Sequence, residues 1–358
     1  MPWDRKRTEA LLGEIRALAP ERLRLMEVCG THTMAIAAAG IKSMLPPGVQ
    51  LLSGPGCPVC VTPPQVIDAV LELSMERGVL LASYGDMLRV PGSRAGDSLL
   101  RRKALGAQVE TVYSPVDAVE LALRCPEKQV VFLGVGFETT APGTAAAVLT
   151  AREKGAKNFS LWSMLKTVEP ALRALIRMEG FQIDGFLCPG HVATILGANG
   201  FAFLPEEYAL PAVVAGFEPE EILLAVCRLI RQISEKRPRL ENAYPRAVKP
   251  EGNKLARQML AKCFEPRFDL WRGLGGIEGS GLGLRAELAE FDAERRFQIQ
   301  TGKAEAPTAC RCGEVITGRL SPEQCPLFGK RCTPEEPVGP CMVSTEGACA
   351  AAWKYAAV

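Results

Sequence analysis

The sequence lacks the features that mark several classes of protein. No block of lysine and arginine is interleaved with aromatic residues, and 42 basic residues nearly balance 40 acidic ones, so we expect no nucleic-acid partner. No apolar run approaches the length needed to cross a bilayer. The first amphipathic segment, with Leu11, Ile15 and Leu18 on one face among charges, is not the apolar core of a signal peptide. These absences predict a cytoplasmic protein with no membrane partner.

Nucleotide-binding signatures and histidine are also scarce. The chain has no Walker-type phosphate loop, and the glycine-rich string at 273–284 lacks the strand-turn-helix context of a dinucleotide fingerprint. We therefore predict no bound nucleotide. Histidine occurs only as His32 and His191, each in a loop after an apolar run, and either one can be a structural rather than a functional residue.

The pattern of apolar residues predicts an α/β fold. From about residue 50 to residue 230, short apolar runs alternate with helical stretches at the period of βα units, which favours parallel sheets flanked by helices. Each candidate strand is apolar on both faces, as a buried parallel strand should be. The candidate strands are 79–83, 129–133, 159–163, 186–188 and 212–215. A chain of 358 residues exceeds what one core usually serves, and a Pro-rich, charged stretch at 234–254 marks a domain boundary.

Cysteine is the compositional anomaly, with 13 residues in an otherwise ordinary chain. Reducing compartments do not favour structural disulfides, so such cysteines more often bind metal or do redox work. Three lie near the N-terminus, and six lie between Cys310 and Cys349. This distribution predicts two separate sites.

The C-terminal cysteines predict a metal centre. Six thiols fall within about forty residues, among glycines and prolines that permit tight turns, and four thiolates are the usual shell of an iron–sulfur cubane or of structural zinc. Two close CxxC knuckles of the zinc type are absent, so the spacing favours a cluster. Spacing alone does not say which four cysteines are ligands, and small buried hydrophobes are the remaining alternative.

The N-terminal segment places Cys29 and His32 three residues apart at a predicted strand-to-helix transition. Gly30 loosens the turn, and Thr31 or Thr33 is predicted to cap the helix. A helix N-terminus favours the thiolate, so we expect a lowered pKa and a nucleophilic or metal-binding Cys29. An incidental Cys-x-x-His is the alternative.

A CxxC pair at Cys57 and Cys60 lies in a Gly/Pro loop that leads into a helix predicted to begin near Pro64. That arrangement suits dithiol/disulfide exchange or metal chelation. The alternative is that the two thiols merely fill a tight loop.

Polar residues follow two of the predicted strands. Glu138, Thr139 and Thr140 follow the strand at 129–133, and His191 follows the strand at 186–188. Parallel α/β sheets bind ligands at the carboxyl ends of their strands, so these residues are candidates for one crevice.

Several motifs in order resemble the HypD family, whose members help to build the Fe(CN)2CO group of NiFe-hydrogenases. They are MEVCGTHT, LLSGPGCPVCVTP, ASYGDMLRVPG, GFETTAPGTA, CPGHVATILG, CRCGEVITGRL, QCPLFGKRC and GPCMVSTEGACAA. Together they run across the whole chain, and in none of them does the sequence depart from the family.

The resemblance implies three α/β domains with a 4Fe-4S cluster in the C-terminal one. The resulting ranges are 1–45 (N-terminal helix and Cys29 segment, packing with the C-terminal domain), 46–122, 123–235 and 236–358. The family's cluster pattern falls on Cys310, Cys325, Cys332 and Cys349. Cys312 and Cys341 are then the spare pair, a candidate redox-active disulfide, and the family's essential N-terminal cysteines fall on Cys29, Cys57 and Cys60.

The resemblance also implies partners and cargo. The expected partners are a HypC-type small chaperone and a HypE-type cyanide donor, and the expected cargo is a transient mononuclear iron(II) that carries cyanide and carbon monoxide. Cys29 is the first-choice anchor for that iron, Cys57 and Cys60 are a relay for electrons, and His32 is a hydrogen-bonding or ligating neighbour. Two alternatives stay open, an iron–sulfur-dependent disulfide reductase and an adaptor whose metal is purely structural.

Overall fold

The computed structural model describes residues 4–94, 96–302 and 309–355. Its strands form two parallel sheets and one antiparallel hairpin. The strands are β1 (Leu23–Glu27), β2 (Val49–Ser53), β3 (Val79–Ser83), β4 (Val109–Thr111), β5 (Gln129–Gly136), β6 (Phe159–Leu165), β7 (Gly185–Pro189), β8 (Ala212–Ala215), β9 (Leu240–Asn242), β10 (Phe264–Trp271) and β11 (Gly275–Leu284).

Helices cover these sheets and connect their strands. The helices are α1 (Arg5–Leu18), α2 (Gly30–Ala38), α3 (Ile41–Met44), α4 (Pro58–Val61), α5 (Pro64–Leu73), α6 (Leu99–Ala104), α7 (Pro115–Arg124), α8 (Ala141–Lys154), α9 (Val168–Ile176), α10 (Gly190–Leu196), α11 (Phe203–Tyr208), α12 (Pro219–Ser234), α13 (Lys254–Cys263), α14 (Ala293–Arg296), α15 (Cys312–Val315), α16 (Pro340–Val343) and α17 (Ala348–Tyr355). Short 3-10 helices lie at Gly85–Arg89, Ala198–Phe201, Ala286–Phe291 and Pro322–Gln324.

The strand order confirms the predicted class, parallel sheets flanked by helices. The first sheet has the order β2-β1-β7-β8-β9 and the second has the order β4-β3-β5-β6, with parallel pairing throughout both. The five candidate strands correspond to β3, β5, β6, β7 and β8. Their side chains are almost entirely buried, which explains why they are apolar on both faces.

The chain leaves the first sheet after β2, builds the second sheet, and then returns to add β7 to β9 beside β1. The first sheet therefore joins strands that lie far apart in sequence, since β1 pairs with both β2 and β7. The ranges 1–45, 46–122, 123–235 and 236–358 stay a prediction, and the strand order adds that β1 and β2 share a sheet with β7 to β9.

The N-terminal region packs at two places. Helix α1 lies against α12, where Arg231 Nε donates to Glu14 Oε1 at 2.9 Å. Helix α2 lies against the C-terminal helix α17. Helix α12 begins with Pro219 in its first turn, and Glu221 Oε2 accepts the N–H of Glu218 at 3.2 Å. The segment that carries Cys29 is thus packed on the C-terminal part of the chain.

The hairpin of β10 and β11 is fixed to the second sheet by polar contacts. Ser163 Oγ donates to Leu282 O at 2.5 Å, and Lys166 Nζ donates to Asp269 Oδ2 at 2.7 Å and to Leu270 O at 2.8 Å. Lys166 is only 2% exposed, so these partners offset the cost of burying its charge. From residue 309 onward the chain forms short helices and turns. No helix among the described residues combines the length and the apolar character needed to cross a membrane.

Candidate functional site

Cys29 lies where β1 ends and α2 begins. Its main-chain N–H donates to Glu27 Oε2 at 3.0 Å, and the N–H of His32 points back to its sulfur. Cys29 is the residue that caps α2, with extended backbone angles and no side-chain cap hydrogen bond. It is 7% exposed. The predicted strand-to-helix transition is therefore present, and the Cys29 thiol is held in a largely buried turn.

The predicted cap by Thr31 or Thr33 is wrong. Thr31 Oγ1 instead donates to Glu346 Oε1 at 2.8 Å, and Thr33 Oγ1 donates to Glu27 Oε1. Cys29 occupies the cap position, so both threonines lie inside α2, where their hydroxyls donate to carboxylates in charge-assisted hydrogen bonds. The threonines therefore join the turn to β1 and to the C-terminal segment.

The predicted lowering of the Cys29 pKa is also wrong in direction. Burial raises the pKa of Cys29 to about 12, and the nearby carboxyl groups of Glu346 and Glu27 raise it further, whereas the His32 N–H lowers it. Desolvation outweighs the end of the helix because the thiolate would lose most of its hydration. Cys29 is thus a neutral thiol at pH 7 unless a cation binds beside it.

The CxxC loop packs directly on Cys29. Gly30 N donates to Gly56 O at 3.2 Å, and a Cβ at Gly56 would overlap main-chain atoms of Val28 and Cys29. Only glycine permits this approach. Cys57 and Cys60 are joined by a disulfide across the short helix α4, and the helix predicted near Pro64 is α5. The structure therefore brings Cys29 and the CxxC pair together.

A C-terminal segment, residues 344–346, covers this N-terminal cysteine site. Ser344 Oγ lies 3.4 Å from the Cys57 sulfur, and Glu346 accepts the hydroxyl of Thr31. A Cβ at Gly30 would overlap Glu346, and burial raises the pKa of Glu346. The N-terminal cysteine site is thus assembled from the end of β1, the CxxC loop and the 344–346 segment.

The six C-terminal cysteines surround one small cavity. They are Cys310, Cys312, Cys325, Cys332, Cys341 and Cys349. Hydrogen bonds from Cys310 and Cys341 hold the pKa of Cys312 well below its usual range, and the pKa values of the two donors are raised. Within the described ranges no three His, Cys, Asp or Glu side chains are arranged around a single ion. The donor set, six soft thiols around one cavity, fits an iron–sulfur cluster better than one isolated ion.

Helix α16 connects the two cysteine groups. It carries Cys341 and ends at Ser344, whose N–H donates to Pro340 O at 2.9 Å, and it packs against α4 of the CxxC loop. Arg272 provides a second connection, because its Nε donates to Thr62 O at 3.1 Å while its charge lowers the pKa of Cys312. The cysteine cavity and the disulfide are therefore neighbours through two elements.

The side-chain rings of both histidines stack on the ring of Phe217. The His32 ring stacks on Phe217 at 4.7 Å between centroids, and the His191 ring stacks on it at 3.9 Å. His32 is fully buried, and its Nε2 donates to Gly216 O at 2.9 Å. Burial lowers the pKa of His32 to about 4, and partial loss of hydration lowers the pKa of His191, which is the more exposed of the two. His32 is therefore a neutral imidazole at pH 7, held behind the Cys29 turn.

Glu138, Thr139 and Thr140 lie at the end of β5 in the second sheet. Glu138 is 3% exposed, and its Oε1 accepts the N–H of Val168 at 2.9 Å. Its Oε2 has no partner in the described part of the chain, and burial raises the pKa of Glu138 to about 7. Among the described residues no hydrogen bond or ring contact joins it to His191, so the single crevice stays a prediction.

Sequence reasoning missed several polar residues of the site. Glu27 and Glu346 hold the Cys29 turn, Ser344 touches Cys57, Asp86 accepts hydrogen bonds from the 344–346 segment, and Arg272 lies beside the cavity. The one local signal was a charged Glu27 inside an apolar strand. The others become neighbours only through the fold.

The fold and the site define a class, an α/β protein in which a buried thiol, a disulfide and a six-cysteine cavity adjoin one another. A family model described as HypD, hydrogenase formation hypA family, matches residues 6–356. The chain belongs to the HypD family.

Three relatives are similar over nearly their whole length. The chain is 44% identical over 351 residues to the hydrogenase maturation factor HypD of Rhodobacter capsulatus, which covers 96% of this chain and 92% of that protein. It is 45% identical to HypD of Azotobacter vinelandii, with 93% and 89% covered. It is 44% identical to HypD of Escherichia coli (strain K12), with 94% and 90% covered.

Proposed function

We propose that this chain works in the cytoplasm in hydrogenase maturation, as the scaffold and redox component that assembles the Fe(CN)2CO group of NiFe-hydrogenase. The names of its relatives support this proposal. The observation that carries it is the contact of Cys29, the Cys57–Cys60 disulfide and the 344–346 segment, which begins where the helix with Cys341 ends.

Cys29 is the proposed anchor for the iron that is built up as cargo. Its thiol is buried beside the main chain of the CxxC loop, and a soft thiolate suits an iron(II) that carries cyanide and carbon monoxide. The raised pKa of Cys29 means that iron must displace the thiol proton on binding. A HypC-type chaperone supplies a further ligand in this proposal, and a HypE-type partner donates the cyanide.

Cys310, Cys325, Cys332 and Cys349 are the proposed ligands of a resident 4Fe-4S cluster. A cluster bound there would supply single electrons. Cys312 and Cys341 are then left over and are a candidate redox pair, since both line the same cavity. Helix α16 carries Cys341, and Ser344 follows the helix directly, so the cavity and the CxxC disulfide adjoin.

Cys57 and Cys60 are the proposed two-electron couple. Release of cyanide from a carrier thiocyanate breaks a sulfur–carbon bond and takes up two electrons, which leave the carrier as a thiolate. A Cys57/Cys60 dithiol supplies those electrons and becomes the disulfide. His32, neutral and fixed by Gly216, is the proposed neighbour of the Cys29 turn, and its main-chain N–H lowers the pKa of Cys29.

An iron–sulfur-dependent disulfide reductase is the second candidate. The disulfide beside the cysteine cavity favours it, because electrons from a cluster could be passed through the dithiol to the disulfide of a partner. This candidate requires turnover of a disulfide substrate and no mononuclear iron.

Infrared spectroscopy with iron counting on protein purified anaerobically with its HypC-type partner tests the proposal. We expect bands in the cyanide and carbonyl stretching region and about five irons per complex, four of them in the cluster. Cys29→Ala should lose the bands and keep about four irons, whereas Cys125→Ala, at a half-buried cysteine outside both sites, should keep both. Bands that persist in Cys29→Ala would refute Cys29 as the anchor. About four irons and no bands in the unmodified protein would favour the disulfide reductase.

A further inference from the structure

The two sulfurs of the CxxC disulfide have different surroundings. The Cys57 sulfur lies 3.1 Å from the main-chain N–H of Cys60 and 3.4 Å from Ser344 Oγ. Within the described residues, no hydrogen bond from outside the pair reaches the Cys60 sulfur. Cys60 is fully buried, whereas Cys57 keeps 4% exposure. Cys57 is therefore the less buried residue of the pair, and its sulfur is the one that polar groups contact.

Ser344 is held in place from its other side. Its Oγ donates to Asp86 Oδ2 at 3.2 Å and accepts the N–H of Glu346 at 3.2 Å, and it is 2% exposed. Asp86 Oδ2 also accepts the N–H of Thr345 at 3.0 Å and its hydroxyl at 3.2 Å. A continuous chain of hydrogen-bonding groups thus runs from the Cys57 sulfur through Ser344 to a half-buried carboxylate.

This order of groups matches a nucleophile, a proton-accepting hydroxyl and an orienting base. The groups come from three distant segments, the CxxC loop, the turn after α16 and the 3-10 helix after β3. The Ser344 hydroxyl has three polar neighbours, the Cys57 sulfur, Asp86 Oδ2 and the N–H of Glu346, so it can accept a proton from one side and donate one on the other. Nothing else in the described site offers the Cys57 sulfur a path to a carboxylate.

We propose that Ser344 and Asp86 form a proton relay that makes Cys57 the attacking thiol of the Cys57/Cys60 couple. Ser344 touches the reacting sulfur and is a catalytic residue, and Asp86 acts through it as a positioning residue and final proton acceptor. The proposal deepens the redox role under "Proposed function" and rests on it only in that Cys57 and Cys60 exchange between dithiol and disulfide. The substrate class is a compound with an electrophilic sulfur, a disulfide in the test.

The step balances as a thiol–disulfide exchange. The Cys57 thiol gives its proton to Ser344 while the Ser344 proton passes to Asp86, and the Cys57 thiolate attacks one sulfur of the substrate disulfide. One substrate thiolate leaves, and the other half stays bonded to Cys57. Cys60 then attacks the Cys57 sulfur, which releases the second substrate thiolate and closes the Cys57–Cys60 bond. Asp86 passes the proton that it accepted from Cys57 to one released thiolate, and the proton of Cys60 goes to the other, so that two substrate thiols are formed.

The sequence allows alkylation of Cys57 and Cys60 to be measured separately from that of all other cysteines. Trypsin cleavage after Lys42 and after Arg77 releases a peptide, residues 43–77, in which Cys57 and Cys60 are the only cysteines. The full-length protein is reduced anaerobically with a dithiol, freed of reductant, and exposed to iodoacetamide in timed pulses at pH 7. Fragment masses of the peptide then give separate alkylation rates for Cys57 and Cys60.

We expect the unmodified protein to alkylate at Cys57 before Cys60. Ser344→Ala and Asp86→Asn should each lower the alkylation rate of Cys57 by about tenfold or more, because general base catalysis of this kind typically contributes at least that much. Ser344→Thr keeps the hydroxyl and should restore most of the rate. Asp86→Asn keeps the size of the side chain and an acceptor oxygen, so a merely structural role of Asp86 would leave the rate unchanged.

Matched controls exist for both substitutions. Ser74 is also 2% exposed, and among the described residues its hydroxyl has one hydrogen-bond partner, Leu71 O, so Ser74→Ala should keep the rate. Asp68 accepts the hydroxyl of Ser93 in another carboxylate–serine pair, so Asp68→Asn should keep it too. A normal Cys57 rate in both Ser344→Ala and Asp86→Asn would overturn the relay. If Ser344→Ala does not fold, Asp86→Asn decides the result.

Failure of the relay and failure of the proposed function are distinguishable. The alkylation assay uses neither hydrogenase, iron nor cyanide, whereas the infrared bands report the cargo directly. A normal relay in a protein without bands would refute cofactor assembly and leave the relay standing. Bands together with an unchanged Cys57 rate in both variants would refute the relay and leave cofactor assembly standing.

Discussion

The two cysteine regions of the molecule are built in different ways. Cys29 and the CxxC loop lie at the carboxyl end of the first sheet, and main-chain atoms fix their positions. The C-terminal cysteines lie in turns and helices of four to eight residues, and several contact one another through their sulfurs. Main-chain contacts therefore position the N-terminal thiols, with the 344–346 segment packed over them, whereas the C-terminal thiols interact with one another through their side chains.

This difference suits the proposed tasks. A site that holds successive states of an iron cargo benefits from a rigid backbone, because each new ligand then meets the same geometry. A cavity that receives a cluster benefits from side chains that can move onto it, because the thiolates must match the metal rather than the apoprotein. The comparison predicts that substitutions with similar steric clashes will lower the free energy of unfolding more at the N-terminal site than at the C-terminal one.

Gly56→Ala should produce the largest loss. Its new Cβ would overlap main-chain atoms of Val28 and Cys29, which cannot move without disturbing the first sheet. We expect a loss of about 3 kcal/mol in the free energy of unfolding, the upper part of the range for overpacking, measured by urea denaturation. Gly13→Ala, in the exposed part of α1 with nothing within 4 Å, is the control and should be neutral or stabilising. An unchanged denaturation midpoint for Gly56→Ala would show that the Cys29 turn is not rigid.

Glu138→Gln should produce the next largest effect, visible as a change with pH. Burial raises the pKa of Glu138 from 4.5 to about 7, so the folded state holds this proton more tightly than the unfolded chain does. The stability from the protonated carboxyl is complete below pH 4.5 and is lost as the pH rises through 7. Between pH 5 and pH 8 this carboxyl should lower the free energy of unfolding of the unmodified protein by about 2 kcal/mol.

Glutamine cannot ionise, yet it keeps an oxygen for the N–H of Val168. The difference in the free energy of unfolding between Glu138→Gln and the unmodified protein should therefore shift in favour of the variant as the pH rises. Urea denaturation at pH 5 and pH 8 measures it, with Glu76→Gln at an exposed position as the control. A difference that does not depend on pH would mean that the carboxyl at this strand end is solvated rather than buried.

The same comparison explains what could be predicted from the sequence. The buried strands and the parallel class follow from apolar runs such as 79–83, because burial on both faces leaves a local pattern. The start of α12 follows from Pro219 and its neighbouring acids for the same reason. The two groups of cysteines could be recognised from their spacing in the sequence. That they lie next to each other in the fold could not be predicted.

Long-range contacts account for the two wrong predictions, the threonine helix cap and the lowered pKa of Cys29. Thr31 has the local features of a helix cap, but its hydroxyl binds Glu346, 315 residues away in the sequence. The pairing of β1 with β7 likewise depends on which strands meet, and hydropathy does not encode that choice. The pKa of Cys29 rises because the fold buries it, whereas the sequence reports only the nearby helix end.

Gly339→Ala should produce the smallest effect and is the sharpest test of the difference between the two sites. Its new Cβ would overlap the Cys310 sulfur, which is a severe clash by distance, as it is at Gly56. Here, however, the atom in the way is the end of a half-buried side chain, and rotation about χ1 can move it. We expect a loss of only about 1 kcal/mol in the free energy of unfolding, measured by urea denaturation beside Gly56→Ala. Equal losses for the two variants would mean that the C-terminal cysteines are held as firmly as the strand ends, and the cavity would then be preformed rather than able to adapt to the proposed cluster.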